Sequence, residues 1–230
     1  MSGTDRRYHD LRDAVRRPMA RRAFISLLGL AGLAACVRDE SGSSPGDGTS
    51  SPPAGNTSAS SGDFRERTVE SRRPEFDPST YRLVVNGLVR TPLTFTYSEL
   101  LALPAVQHTC DFRCVEGWGV AGVPWQGFEL RTLAALAEPT SEAQFVTFHC
   151  LGDAYRESLS LEQAELPTAL LAYRVCGRDL PPERGSPLRL VFPRMVGYKG
   201  AKWVTRVEFR SERDSGYWEQ FGYPQDATIK

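Results

Sequence analysis

The sequence has no excess of either charge, no long apolar run, no C-x-x-C-H and no internal repeat. Each absence excludes something. With 28 basic against 28 acidic side chains in 230 residues, nothing favours nucleic acid, whose binding needs Lys and Arg clustered against phosphates. The basic residues that do cluster lie within the first 22 positions. The longest apolar run, Ala23 to Ala35, has 13 residues, too few to cross about 30 Å of hydrocarbon as a helix. Without C-x-x-C-H there is no covalent haem attachment, and no iron–sulfur motif takes its place. Without a repeat, the folded part reads as one domain with a core of its own.

What is present begins with an export signal. Arg16-Arg17-Pro18-Met19-Ala20-Arg21-Arg22 is a charged segment ahead of the apolar run, the layout of a signal peptide over residues 1–35. Arg21-Arg22 before Ala23-Phe24-Ile25 reads as a twin-arginine signal, and Leu33-Ala34-Ala35-Cys36 resembles a bacterial lipobox, so Cys36 is expected to be lipidated after cleavage. An uncleaved anchor is the alternative. Both put the protein on the periplasmic or extracytoplasmic face of a bacterial membrane. The twin-arginine route carries proteins already folded, often around a cofactor, so a cofactor is expected. Removing residues 1–35 leaves 21 basic and 25 acidic groups, a net charge of −4.

From Ser41 to Asp63 the chain is rich in Ser, Gly and Pro, with no aromatic or large aliphatic residue. Such a stretch cannot bury enough surface to offset its ordering entropy, so residues 36–63 read as a tether with a reach of roughly 25 Å.

Residues 64–230 carry the pattern of a folded domain. Tyr81 to Val85 is strand-like and closes on the turn pair Asn86-Gly87; Leu93 to Phe95 continues it. Thr96-Tyr97-Ser98-Glu99 and Ser160-Leu161-Glu162-Gln163 are capping boxes. Phe128 to Ala137 reads as a short amphipathic helix, and the residues after Cys114 as helix-like. Further strands are expected at 145–148, 170–175, 188–192 and 203–209. Strands dominate, so the class is α+β with β-rich character.

Beyond Cys36 four cysteines remain, Cys110, Cys114, Cys150 and Cys176. In an oxidising compartment two disulfides are the default, although Cys110 and Cys114 would lie about 13 Å apart if extended. Zinc held by Cys110, Cys114, His108 and the pair His149-Cys150 is a second possibility, with a C-x3-C spacing that departs from C-x2-C. A Cys–His nucleophile is a third.

Five blocks together resemble one family: Cys114-Val115-Glu116-Gly117-Trp118; Val123-Pro124-Trp125-Gln126-Gly127; Leu170-Leu171-Ala172-Tyr173 with Gly177 and Leu180-Pro181; Gly185-Ser186-Pro187-Leu188-Arg189-Leu190-Val191-Phe192-Pro193; and Gly197-Tyr198-Lys199-Gly200-Ala201-Lys202-Trp203. In that order, and from about Phe76 onward, they resemble the molybdopterin-binding domain of the sulfite oxidase family. The resemblance implies a single β-rich mixed domain holding molybdenum on a pterin dithiolene, with Cys114 as the protein ligand to the metal. A soft thiolate suits such a centre. By motif position it implies Cys150, Arg184, Arg189, Gly200, Ala201 and Lys202 around the pterin. It also implies Tyr223, five residues after Trp218, as a phenol facing the metal or substrate.

The match has departures. Sulfite oxidases carry His at the position of Arg184 and the periplasmic methionine-sulfoxide reductases carry Asn. The Arg, Asn and His run that sulfite oxidases place before the first strand has no clean counterpart in Thr68 to Pro74, and of their dimerisation domain these 230 residues carry none. What the resemblance implies is a molybdopterin-dependent oxidoreductase. It would move an oxygen atom to or from a small or exposed S-oxide, N-oxide or oxyanion, with Arg184, Tyr223 and Arg72 or Arg73 steering the substrate. Its electrons would be exchanged with a separate haem or cytochrome partner. An exported lipoprotein that keeps the fold as a binding module is the alternative.

Overall fold

The computed structural model describes residues 64–229. The expected signal segment 1–35, Cys36 and the tether to residue 63 lie outside the described residues. Two sheets organise the domain. The first has the order β2-β1-β10-β5-β6, from Leu93–Thr96 (β2), Arg82–Gly87 (β1), Val204–Arg210 (β10), Phe145–Cys150 (β5) and Arg156–Ser160 (β6). Within it β1 and β10 run parallel and the other pairs antiparallel. The second is antiparallel, β3-β4-β7-β8, from Val106–Arg113, Gly119–Glu129, Leu170–Val175 and Arg178–Asp179, with β9 (Arg189–Val191) also on β7.

Period-two alternation explains how one strand serves two cores. In β7, Leu171 and Tyr173 join a core shared with Leu83, Val85, Phe148, Val207 and Phe209 of the first sheet, while Leu170 and Ala172 join a second cluster with Val123, Trp125 and Val191. Buried on both faces from Leu170 to Tyr173, β7 begins as an apolar run that the exposed Arg174 ends. Helix α2 (Leu130–Ala137) closes the larger core with Leu130, Leu133 and Leu136. Both capping boxes are formed: Thr96 and Glu99 open α1 (Tyr97–Leu101), and Ser160 and Gln163 open α3 (Leu161–Ala164).

The helix expected after Cys114 is not there. Cys114 to Trp118 forms a tight connection in which the Cys114 N–H donates to the Trp118 carbonyl at 2.8 Å and the Gly117 N–H to the Cys114 carbonyl at 3.1 Å. Gly117, at φ 86°, supplies the left-handed backbone the turn needs, and β4 begins at once. The glycines of β4 conceal it in the sequence, yet Gly127 is required there. A Cβ at this position would stand 2.0 Å from the Leu171 carbonyl oxygen, where β4 shifts register against β7. No disulfide joins the four described cysteines. Among the described residues no group of three or more His, Cys, Asp or Glu side chains could hold a metal ion, so the zinc set does not assemble.

Candidate active site

β3 ends at Arg113 and delivers Cys114 to the connection that begins β4. Its half-buried thiol faces a cavity of about 300 Å³, at the small end of the range for ligand sites. The cavity is walled by loops and strand ends. Arg184 reaches it from the 3-10 turn Pro182–Arg184, Arg189 from the first residue of β9, Gly200 and Lys202 from the stretch before β10, and Tyr223 from the carboxy-terminal loop.

Three cations therefore share one wall. Arg189 is buried over the rings of Phe112 and Trp125, at 5.3 and 5.4 Å, and burial with Arg184 nearby pushes its guanidinium down to about 10. Burial likewise lowers Arg184. Lys202 lies 4.3 Å from the Trp203 ring centre; burial first, then Arg189 and Arg184, push it down to about 7, against an opposing pull from Glu66. For Arg189 and Lys202, burial and neighbouring cations disfavour the charged form, which an anion would relieve. Gly200 lets its backbone pack closely against the wall. A Cβ there would lie 3.1 Å from the Leu190 carbonyl oxygen and 3.2 Å from Arg189 Nη2.

A strap from Phe64 to Val69 also lines the cavity and is tied to these cations. Arg184 Nη2 donates to the Phe64 carbonyl at 2.6 Å and Lys202 Nζ to the Arg67 carbonyl at 2.7 Å. Arg67 pairs with Glu116 at 2.7 Å, and Trp118 Nε1 donates to the same carboxylate at 3.0 Å. Arg67 foremost, then Trp118, holds the Glu116 carboxyl below the usual range. The far side is aromatic. The Tyr223 ring lies 5.5 Å from Tyr198 and 5.3 Å from Trp218, and Tyr155 donates its phenol proton to the Tyr198 carbonyl.

Six of the residues expected at the site thus line one cavity: Cys114, Arg184, Arg189, Gly200, Lys202 and Tyr223. Cys150 and Ala201 do not. The Cys150 side chain is in the larger core, where burial pushes its thiol up, and Ala201 is fully buried beside it. Arg72 pairs with Glu75, and Arg73 with Glu66, away from the lining. Sequence reading missed the strap and Tyr155, which carry no periodic signal. Tyr198 and Trp218 lay inside motifs without a role assigned.

The donor set fits molybdenum on a pterin dithiolene: one half-buried thiol, with the cationic side chains of Arg184, Arg189 and Lys202 gathered on the same cavity where an anionic group would sit. The comparisons agree. Residues 70–218 match the family described as oxidoreductase molybdopterin binding domain. The chain is 34% identical over 172 residues to the protein-methionine-sulfoxide reductase catalytic subunit MsrP of Campylobacter jejuni, covering 68% of this chain and 58% of that one. It is 35% identical over 147 residues to the uncharacterized oxidoreductase YuiH of Bacillus subtilis, covering 64% and 74%. The crystal structure of the sulfane dehydrogenase SoxCD from Paracoccus pantotrophus matches with a TM-score of 0.60 at 26% identity, over 64% of this chain and 42% of that one. The chain spans less than two thirds of the reductase subunit and under half of the SoxCD chain.

Proposed function

Because the chain belongs to the oxidoreductase molybdopterin-binding domain family, and so to the sulfite oxidase group, we propose that it is a molybdenum-dependent oxidoreductase. It moves an oxygen atom to or from a sulfur- or nitrogen-centred substrate, an S-oxide foremost, and exchanges electrons with a separate haem-containing partner. The observation that carries this is the convergence of Cys114, Tyr223 and the Arg184, Arg189 and Lys202 wall on one cavity.

Molybdenum on its pterin supplies two-electron oxygen-atom chemistry. Cys114 would hold the metal, and its thiol gives up its proton on ligation. Arg189, Lys202 and Gly200 would hold the anionic pterin. Tyr223 is the donor that can hydrogen-bond the oxygen of a bound substrate, and Arg184 favours substrates with a polar or anionic oxygen. Val115 and Trp118 add apolar surface to the lining, which suits a thioether group. For an S-oxide the balance is one sulfoxide, two electrons and two protons in, one sulfide and one water out. The name of the Campylobacter relative favours this direction. The twin-arginine pair and Cys36 support export of the loaded protein and a lipid tether, close to a membrane-bound haem donor.

Purified protein from a molybdenum-replete host is expected to contain molybdenum and pterin in stoichiometric amounts. Cys114→Ser is expected to lower turnover more than about a hundredfold. Reoxidation of the reduced protein by methionine sulfoxide, or reduction of the oxidised protein by sulfite, read optically, separates the two directions. Wild-type protein without either metal or pterin overturns the proposal, and a fully active Cys114→Ser overturns the ligand assignment.

A further inference from the structure

One buried cluster of charge lies behind the cavity without lining it. Lys199 closes the 3-10 turn Gly197–Lys199 and is fully buried. Its ammonium donates to Glu157, to the Ser158 carbonyl at 3.1 Å and to Glu219 at 2.5 Å, which accounts for all three of its N–H groups. Both carboxylates are buried too, with side-chain exposures of 0% and 2%. Charge of this kind is a poor general stabiliser, since apolar residues of the same volume often serve a fold as well or better. Its distinctive property is direction: three donors on one atom fix three partners at once.

Each member comes from a different segment of the chain whose neighbouring residues line the cavity. Lys199 is flanked by Tyr198 and Gly200, both of which line it. Glu157 comes two residues after Tyr155, and Tyr155 lines it as well. Glu219 sits between Trp218 and Tyr223, and its second oxygen accepts the Gly216 N–H at 2.8 Å. The loop is then closed by the Tyr223 N–H on the Trp218 carbonyl at 3.2 Å. Gly216 packs flush on Glu157: a Cβ there would lie 2.7 Å from Glu157 Oε1. The carboxy-terminal loop is therefore fastened to the body of the domain at this cluster.

We propose that Lys199 is a positioning residue for the oxygen-transfer reaction, acting through Glu219 to hold Trp218 and Tyr223 against the turn that carries Tyr198 and Gly200. The inference rests on the proposed function, because it takes Tyr223 to be the phenol that meets substrate. Glu219→Gln tests it. The amide keeps the volume and can still accept from Gly216, but it breaks the ion pair with Lys199.

The full chain is labelled with 5-fluorotryptophan and read by fluorine NMR, with the Trp218 resonance assigned by its loss in Trp218→Phe. In Glu219→Gln the Trp218 line is expected to shift and broaden while those of Trp125 and Trp203 stay in place. With molybdenum content unchanged, kcat is expected to fall about tenfold with KM within about twofold, as for a slightly misplaced catalytic group. Glu219→Asp, which restores the charge, is expected to recover part of kcat. An unmoved Trp218 line with unchanged kcat overturns the inference, and so does a uniform shift of all four tryptophan lines, which marks a general loss of packing. Absence of molybdenum from the wild type would sink the proposed function alone, since the fluorine readout needs no turnover. Lys199→Met is the more severe variant and leaves two carboxylates buried without their cation. If it does not fold, Glu219→Gln still decides.

Discussion

A lysine buried beside two arginines is under pressure to lose its proton, and an anion removes that pressure. Lys202, held down to about 7 by burial, Arg189 and Arg184, is half charged near neutral pH. Binding an anionic pterin then takes up a proton, so affinity is highest below pH 7 and falls as pH rises through it. Reloading of cofactor-free protein, followed by pterin fluorescence, is expected to be up to about tenfold weaker at pH 8 than at pH 6. Lys202→Met is expected to load poorly at both values and to lose that slope. A slope that survives in Lys202→Met would assign the proton to another group. At this scale Cys114 was legible in the sequence because its neighbours form a motif. Cys150 and Ala201 stood in motifs too, but their side chains turn into the core, a matter of strand face rather than residue type.

Elements differ in how far they announce themselves. The Thr96 capping box was readable because its contacts run only from residue i to i+3. In α1 the Thr96 N–H donates to Glu99 Oε2 at 2.8 Å and the Glu99 N–H to Thr96 Oγ1 at 3.3 Å. Thr96→Ala is expected to cost about 1 kcal/mol, read as a lower urea midpoint with unchanged slope. A changed slope would mean that more than the cap was lost. β3 and β4 were not readable in this way. β3 alternates Val106, His108, Cys110 and Phe112 inward, but two of the four are weak hydrophobes. β4 carries Gly119, Gly122, Pro124 and Gly127, which read locally as turns. Pairing with β3 and β7 makes it an 11-residue strand, because ladder hydrogen bonds and burial outweigh weak local preference.

For the whole molecule, the balance of buried charge sets a pH dependence. Burial pushes Glu157 up to about 7, despite Lys199 and the Ser158 N–H, because one ammonium is shared between two carboxylates. Glu219, Tyr155, Tyr198 and Cys150 also face it. A carboxyl raised from 4.5 to about 7 on folding binds its proton more tightly in the fold. Its contribution is fully present below the unfolded value and is lost as pH rises through the folded one. The partly exposed Glu66, Glu99 and Glu116, all held low, act in the opposite sense and below this window. His149, lowered by burial, acts in the opposite sense within it but is common to variant and wild type. Glu157→Gln is therefore expected to reduce the fall in Tm between pH 5 and pH 8 by roughly 5 °C. Parallel Tm curves for the two proteins would show that Glu157 is not the group that titrates.

By itself the sequence determined the β-rich class, the two capped helices and the motif blocks that mark a cofactor domain. Each depends on neighbours a few residues apart or on composition. The cavity was decided by the tertiary structure. Phe64, Cys114, Tyr155, Arg189, Tyr198 and Tyr223 are up to 159 residues apart in the chain, and only the pairing of strands brings their loops to one place. The same packing decides which of them stay charged, since desolvation depends on what surrounds a group and not on what precedes it.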